Sequence, residues 1–252
     1  MTMAASRFAI YLAPAEPFRT FGAQWLGRDA DTSAPLPLPK DLGPRPDAWV
    51  AAPAHYGLHA TLKPPFRLAA GTDAPMLDAA ARDFARGRDA FHARLTLRAL
   101  RGFLAWCLDD GTERHDSHDS HEGARQMHAL ADSCVRAFEP FRAPPTEAEL
   151  RKRKPDQLTA AQRRMLEAWG YPYVFETFTF HITLTGMLDA AAQAAALAQL
   201  APASQMLCAT PMHVDGIAVF VQPEPGADFL VARHYGFNGS TRDGAGAAFL
   251  GS

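Results

Sequence analysis

Cysteine is scarce in these 252 residues: only Cys107, Cys134 and Cys208 occur, with no Cys-x-x-Cys spacing. An odd, scattered set excludes a disulfide framework and reads as isolated thiols in a reducing compartment. Long apolar runs are missing too. The opening MTMAASRFAIYLAP is too short in apolar residues for a signal peptide, and no later window approaches the roughly 18 apolar residues of a membrane span. A cytoplasmic protein with no membrane partner is expected. An excess of either charge is also absent: 25 Lys and Arg stand against 27 Asp and Glu, a net charge of -2. Proteins that coat long nucleic acid carry a strong basic balance, so the expected ligand is small or short, met by a local patch.

What is present begins with an ordinary globular composition, 48% apolar and 21% charged, and enough length to bury a sizeable core. Proline is frequent, at 20 residues. Most of it sits in connections such as Pro35-Leu36-Pro37-Leu38-Pro39. Strands are expected at 7–13, 56–68, 91–100, 103–108, 175–185, 213–222 and 229–236, and helices at 18–26, 75–87, 124–141 and 190–200. Residues 29–54 read as a loop. The charged segment 143–173 reads as two short helices, each opened by a capping box: Thr146-x-x-Glu149 and Thr159-x-x-Gln162. The order β-α-β-α-β then occurs twice, with one strand left over, which suggests an internal duplication. A single domain over 1–252 is expected, with one lobe at about 1–102 and another at about 103–252 carrying the insert 143–173.

Each half carries the same short motif on its middle strand. GLHATLKPPF spans Gly57–Phe66 and TFTFHITLTG spans Thr177–Gly186. Alternation along a strand sends Leu58, Ala60 and Leu62 to one face and His59, Thr61 and Lys63 to the other. In the second stretch His181, Thr183 and Thr185 share the polar face. From residue frequencies, His-x-Thr-Leu should appear about 0.06 times in such a chain, so two copies inside strand-like alternation are hard to assign to chance. Two imidazoles titrating near neutrality can act together as general base and general acid. Two hydroxyls and an ammonium can hold a phosphate and its developing charge. The reaction this set suits is in-line cleavage of a phosphodiester, most simply the opening of a cyclic one.

The paired motifs resemble those of the two-histidine (2H) phosphoesterase superfamily. The longer stretches YGLHATLKPPF (Tyr56–Phe66), RKRKPDQLTAAQRRMLEAWGYPYV (Arg151–Val174) and FTFHITLTG (Phe178–Gly186) are similar to a bacterial branch of phosphonate-metabolism proteins of unknown function. The resemblance implies an α+β fold, bilobal, with duplicated βαβαβ units and two facing antiparallel sheets around a central cleft. It implies catalytic His59 and His181, phosphate-binding Thr61 and Thr183, and no metal or other cofactor. The expected activity is hydrolysis of a nucleoside or ribose cyclic phosphate, or of a short 2′-5′ phosphodiester, within phosphonate catabolism. The expected partner is a small-molecule phosphodiester or short oligonucleotide end, with no long nucleic acid, and the expected state is a monomer.

Further positions carry two readings each. Lys63 is a phosphate contact or a rim salt bridge. Thr185 extends the second polar face. Arg151, in the basic run 151–154, belongs to a lid over the cleft or to a solvated helix face. Tyr173 is part of a helix-stop turn or of an aromatic wall that stacks on a base. Tyr11 and Tyr235 are open to a structural or a stacking reading, with core packing preferred. His115, His118 and His121 could ligate a metal, but their loop gives no rigid geometry. The competing functions are a binding module for a nucleotide or RNA end in the same cleft, and a metallohydrolase built on that loop.

Overall fold

Arg7–Leu12 (β1) alternates apolar side chains between two buried faces, which places it inside a sheet rather than at its edge. The computed structural model describes residues 4–109 and 117–251. After β1 come α1 (Phe18–Leu26), α2 (Ala51–Tyr56), β2 (Ala60–Phe66), α3 (Ala74–Ala85), β3 (Phe91–Ala93), β4 (Leu95–Leu100) and β5 (Phe103–Leu108). Then follow α4 (Ser117–Ala137), α5 (Glu147–Lys152), α6 (Ala160–Trp169), β6 (His181–Thr183), α7 (Ala190–Leu207), β7 (Met212–Val214), β8 (Gly216–Gln222), β9 (Leu230–Gly236) and β10 (Thr241–Asp243). The class is α+β. Both expected capping boxes form: the Thr146 and Thr159 hydroxyls accept from the Glu149 and Gln162 amides, and those side chains reach back to the cap amides.

The sheet corrects the expected pair of facing sheets. One eight-stranded antiparallel sheet runs in the order β10-β9-β8-β1-β2-β6-β5-β4 rather than as two separate facing sheets. β4 pairs with β5 across the expected boundary, and β8 returns to pair with β1. The third strand expected in each half of the sequence therefore pairs with the first strand of the other half, β4 with β5 and β8 with β1. The exchange works because two expected strands are each broken in two. Arg94 separates β3 from β4, Asp215 separates β7 from β8, and β3 and β7 leave the sheet to pair with each other. The stretch 29–54 is not all loop, since α2 begins at Ala51.

The two motif strands meet at the centre of this order, β2 against β6, through a single register pair, Ala60 with Ile182. On one face Leu62, Ile182 and Leu184 are fully covered by the main core, which also holds Trp25, Met127 and Leu200 from α1, α4 and α7. Burying each such aliphatic side chain contributes about 1.5–3 kcal/mol. A one-residue slip would turn the whole set to the wrong face, so the core fixes the register. The Trp25 indole N–H donates to the Leu184 carbonyl at 2.8 Å and locks α1 to the end of the second motif. The opposite face stays open between the two halves of the sheet.

Candidate active site

The Ala60–Ile182 pair decides the geometry. Carried one residue either way, antiparallel register sets His59 opposite Thr183 and Thr61 opposite His181. All four side chains leave the face that Ala60 and Ile182 do not use, and all four line one cleft of about 340 Å³. Each histidine is held by the same device. His59 Nδ1–H donates to the Gly57 carbonyl at 2.8 Å, and His181 Nδ1–H donates to the Thr179 carbonyl at 2.8 Å. A carbonyl can only accept, so Nδ1 carries the hydrogen in both rings and Nε2 keeps its lone pair. The Thr61 hydroxyl lies 3.3 Å from His59 Nε2 and can donate to it. The Thr183 hydroxyl has no hydrogen-bond partner among the described residues.

Gly57 makes the first device possible. Its φ of 75° is in the left-handed region, and an added Cβ would fall 2.6 Å from the Ala30 Cβ. Above His59 lies Tyr11, with ring centroids 3.8 Å apart and planes 18° from parallel. Burial pushes the His59 imidazole down to about 4, against the opposing pull of the Gly57 carbonyl, and the nearby His181 lowers it further. Burial also lowers His181, where the Thr179 carbonyl opposes and the Arg101 charge adds to the effect. Both rings are therefore neutral in the free protein near pH 7, with two acceptor nitrogens turned to one cleft. Among the described residues, no three His, Cys, Asp or Glu side chains gather where they could hold a metal ion.

The family model described as a protein of unknown function, DUF1045, matches residues 61–230. The chain belongs to this family. The match takes in Thr61, His181 and Thr183. The chain is 37% identical over 229 residues to the ribose 1,5-bisphosphate phosphokinase PhnN of Laribacter hongkongensis (strain HLHK9), covering 90% of this chain and 51% of that protein. It is 32% identical over 245 residues to the protein of the same name from Janthinobacterium sp. (strain Marseille), covering 93% of this chain and 51% of that one. The chain thus spans about half the length of the curated relatives it matches.

In this DUF1045 chain the other expected site residues divide. Lys63 does not face the cleft. The β1–β2 register slips between Tyr11–Thr61 and Ile10–Lys63, a bulge that resets the alternation and turns Lys63 to the core side. There it is 1% exposed, and its ammonium donates to the Val135 carbonyl and to Glu139 at 2.8 Å. Thr185 lines the cleft wall, but its hydroxyl accepts from the Leu104 amide and donates to the Gly186 carbonyl. Arg151 lies outside the cleft, exposed beside Glu147; Arg153, two residues on, lines it. Tyr173 lines a narrow adjoining cavity with Thr61 and His181, its ring under Arg101 at 4.8 Å.

Tyr11 packs in the core as expected, and its ring also covers His59 and borders the cleft. Tyr235 is core, donating to Asp78 at 2.6 Å. Tyr171, read with Tyr173 as a helix-stop turn or an aromatic wall, lines the cleft; Arg7 and Tyr56 line it too and were missed. Arg7 could have been found, since it shares the parity of Tyr11 on β1. Of the histidine-rich loop, His115 lies outside the described residues, the side chain of His118 is not described, and His121 is exposed on α4. Among the described residues no helix is long and apolar enough to cross a membrane.

Proposed function

We propose that the cleft hydrolyses a cyclic phosphodiester by two-histidine acid–base catalysis. The observation that carries this reading is the crosswise pairing of His59 with Thr183 and Thr61 with His181, both imidazoles presenting Nε2 to one cleft. A phosphate seated between the two threonine hydroxyls has one imidazole on each side, the arrangement an in-line displacement needs. Water adds to phosphorus as one Nε2 takes its proton. The bond from phosphorus to a ring hydroxyl oxygen breaks as the other histidine delivers a proton to that oxygen. A charged His181 pushes His59 down further, so a proton held on His181 keeps His59 a free base. His59 is then the base and His181 the acid. The anionic substrate stabilises the charged His181 on binding. The matching strand orders β8-β1-β2 and β4-β5-β6, read inward from either side, support a duplicated two-histidine phosphoesterase arrangement.

The relatives' name points to a pentose. Opening a 1,2-cyclic phosphate of ribose 5-phosphate at its 2-oxygen yields ribose 1,5-bisphosphate, the compound named in both relatives. This chain contains no G-x-x-x-x-G-K-[ST] phosphate loop, so phosphate transfer from a nucleotide is assigned to the half of the relatives it does not span. The cleft would make what that half consumes, in keeping with a role in phosphonate catabolism. The test is hydrolysis of ribose 1,2-cyclic phosphate, nucleoside 2′,3′-cyclic phosphates and a 2′-5′ dinucleotide, with and without EDTA, beside a His59→Ala, His181→Ala double variant. EDTA-resistant turnover lost in the variant is expected. Tight binding without turnover by both proteins would favour a nucleotide-binding module instead.

A further inference from the structure

Beside the cleft lies a smaller cavity of about 60 Å³ whose lining is rich in arginine. Four guanidinium groups border it, and they fall into two kinds. Arg67 is paired with Glu149 at 3.3 Å, and Arg142 with Glu139 at 2.6 Å. Arg7 and Arg153 make no ion pair among the described residues, and Glu149, the carboxylate that lines this cavity, is taken by Arg67. Arg7 is oriented by a neutral group: its Nε–H donates to the Gln222 side-chain oxygen at 2.8 Å, leaving its two terminal nitrogens free. Arg153 lies over the Tyr171 ring at 4.7 Å. These two are the arginines that line both cavities, as does Pro65. Both also sit close enough to the Tyr11 hydroxyl for their charges to favour its ionised form. Tyr11 in turn covers His59.

We propose that Arg7 and Arg153 form a second anion site that binds a phosphomonoester carried by the same substrate molecule. This rests on the cyclic phosphodiesterase reading above and narrows its substrate to a pentose cyclic phosphate with a terminal phosphate. Two uncompensated guanidinium groups match a dianion, and a phosphomonoester is largely dianionic near neutral pH. Arg7 lies four residues along β1 from Tyr11, roughly 13 Å of extended strand. Arg7 and Arg153 nevertheless line the cleft that holds both imidazoles, so a substrate with a second charged group can reach both sets of residues. The relatives' named compound carries phosphates on both ends of a ribose, which fits one phosphate between the threonines and the other between the arginines.

The test compares kcat/KM for ribose 1,2-cyclic phosphate with and without a 5-phosphate, in wild type, Arg153→Met, and the Arg7→Met, Arg153→Met pair. Two charge-assisted contacts predict a wild-type preference on the order of 100-fold for the phosphorylated compound. The preference should collapse toward one in the double variant and be partly restored by Arg153→Lys. Should the double variant not fold, Arg153→Met alone, at an exposed position, carries the comparison. A wild-type ratio near one, or a preference that survives in the variants, overturns the site. If neither compound is turned over, the phosphodiesterase reading fails on its own. Calorimetry with ribose 1,5-bisphosphate then decides the arginine site: binding at least tenfold weaker in the variant upholds it, and equal affinity overturns it.

Discussion

At the first motif the His59 ring lies 3.8 Å from Tyr11, nearly parallel to it, and the Thr61 hydroxyl turns back toward Nε2. At the second, the nearest ring to His181 is Phe103, tilted and 5.6 Å away, and the Thr183 hydroxyl is free for a ligand. Two residues further along, Lys63 is buried by a bulge while Thr185 spends its hydroxyl on backbone groups. Both motifs nevertheless hang their histidine from the carbonyl two residues earlier. The shared sequence sets the shared backbone device, and the neighbours set the proton affinity. The same four residues can thus supply one base and one acid.

The largest effect expected from breaking this comparison is on turnover. His59→Ala and His181→Ala should each lower kcat by roughly 10²–10⁴. In wild type, kcat/KM should be bell-shaped with its maximum below pH 6.5, since both free imidazoles titrate below that value. An optimum on the alkaline side would contradict the assignment. Next comes acid stability. Unfolded histidine takes its proton near 6.5, whereas folded His59 takes it at about 4. Between those values the unfolded chain holds more protons, so stability falls as the pH drops through that window, by up to about 3 kcal/mol. Urea unfolding of wild type and His59→Asn at pH 7 and pH 4.5 reads this, with a smaller loss expected in the variant.

Gly57→Ala attacks the first device alone, because Thr179 holds the same role with an ordinary φ. It should cost about 1–3 kcal/mol through backbone strain and lower turnover by moving the His59 acceptor. An unchanged melting temperature and rate would show that the carbonyl does not position the ring. The smallest effect is expected from Lys63→Met. The variant should lose about 1–2 kcal/mol, since Glu139 keeps Arg142 as a partner. Its kcat/KM should stay close to wild type, and a large fall would return Lys63 to the cleft chemistry.

Much of the fold was legible where local rules suffice. α1 ends at Gly27 in the left-handed conformation expected of a helix-stop glycine, and both capping boxes are written in the insert. Exchange of the third strands was not legible. It depends on breaks at Arg94 and Asp215 inside stretches whose alternation reads as continuous. At the site, His59, Thr61, His181 and Thr183 followed from period-two alternation. Lys63 failed because alternation does not survive a bulge, which is a property of the pairing with β1 rather than of the segment itself. Arg151 was singled out in place of Arg153 because a basic run of Arg and Lys gives no sign of which member lines the cleft.

The most direct test of the account is an NMR titration of the histidine rings, reading tautomer and protonation at His59 and His181 separately. Both should be Nδ1–H tautomers when neutral. His59 should titrate near 4, below His181, and both below 6.5. A His59 that titrates at or above His181, or that carries its hydrogen on Nε2, would contradict the division of base and acid between the two motifs.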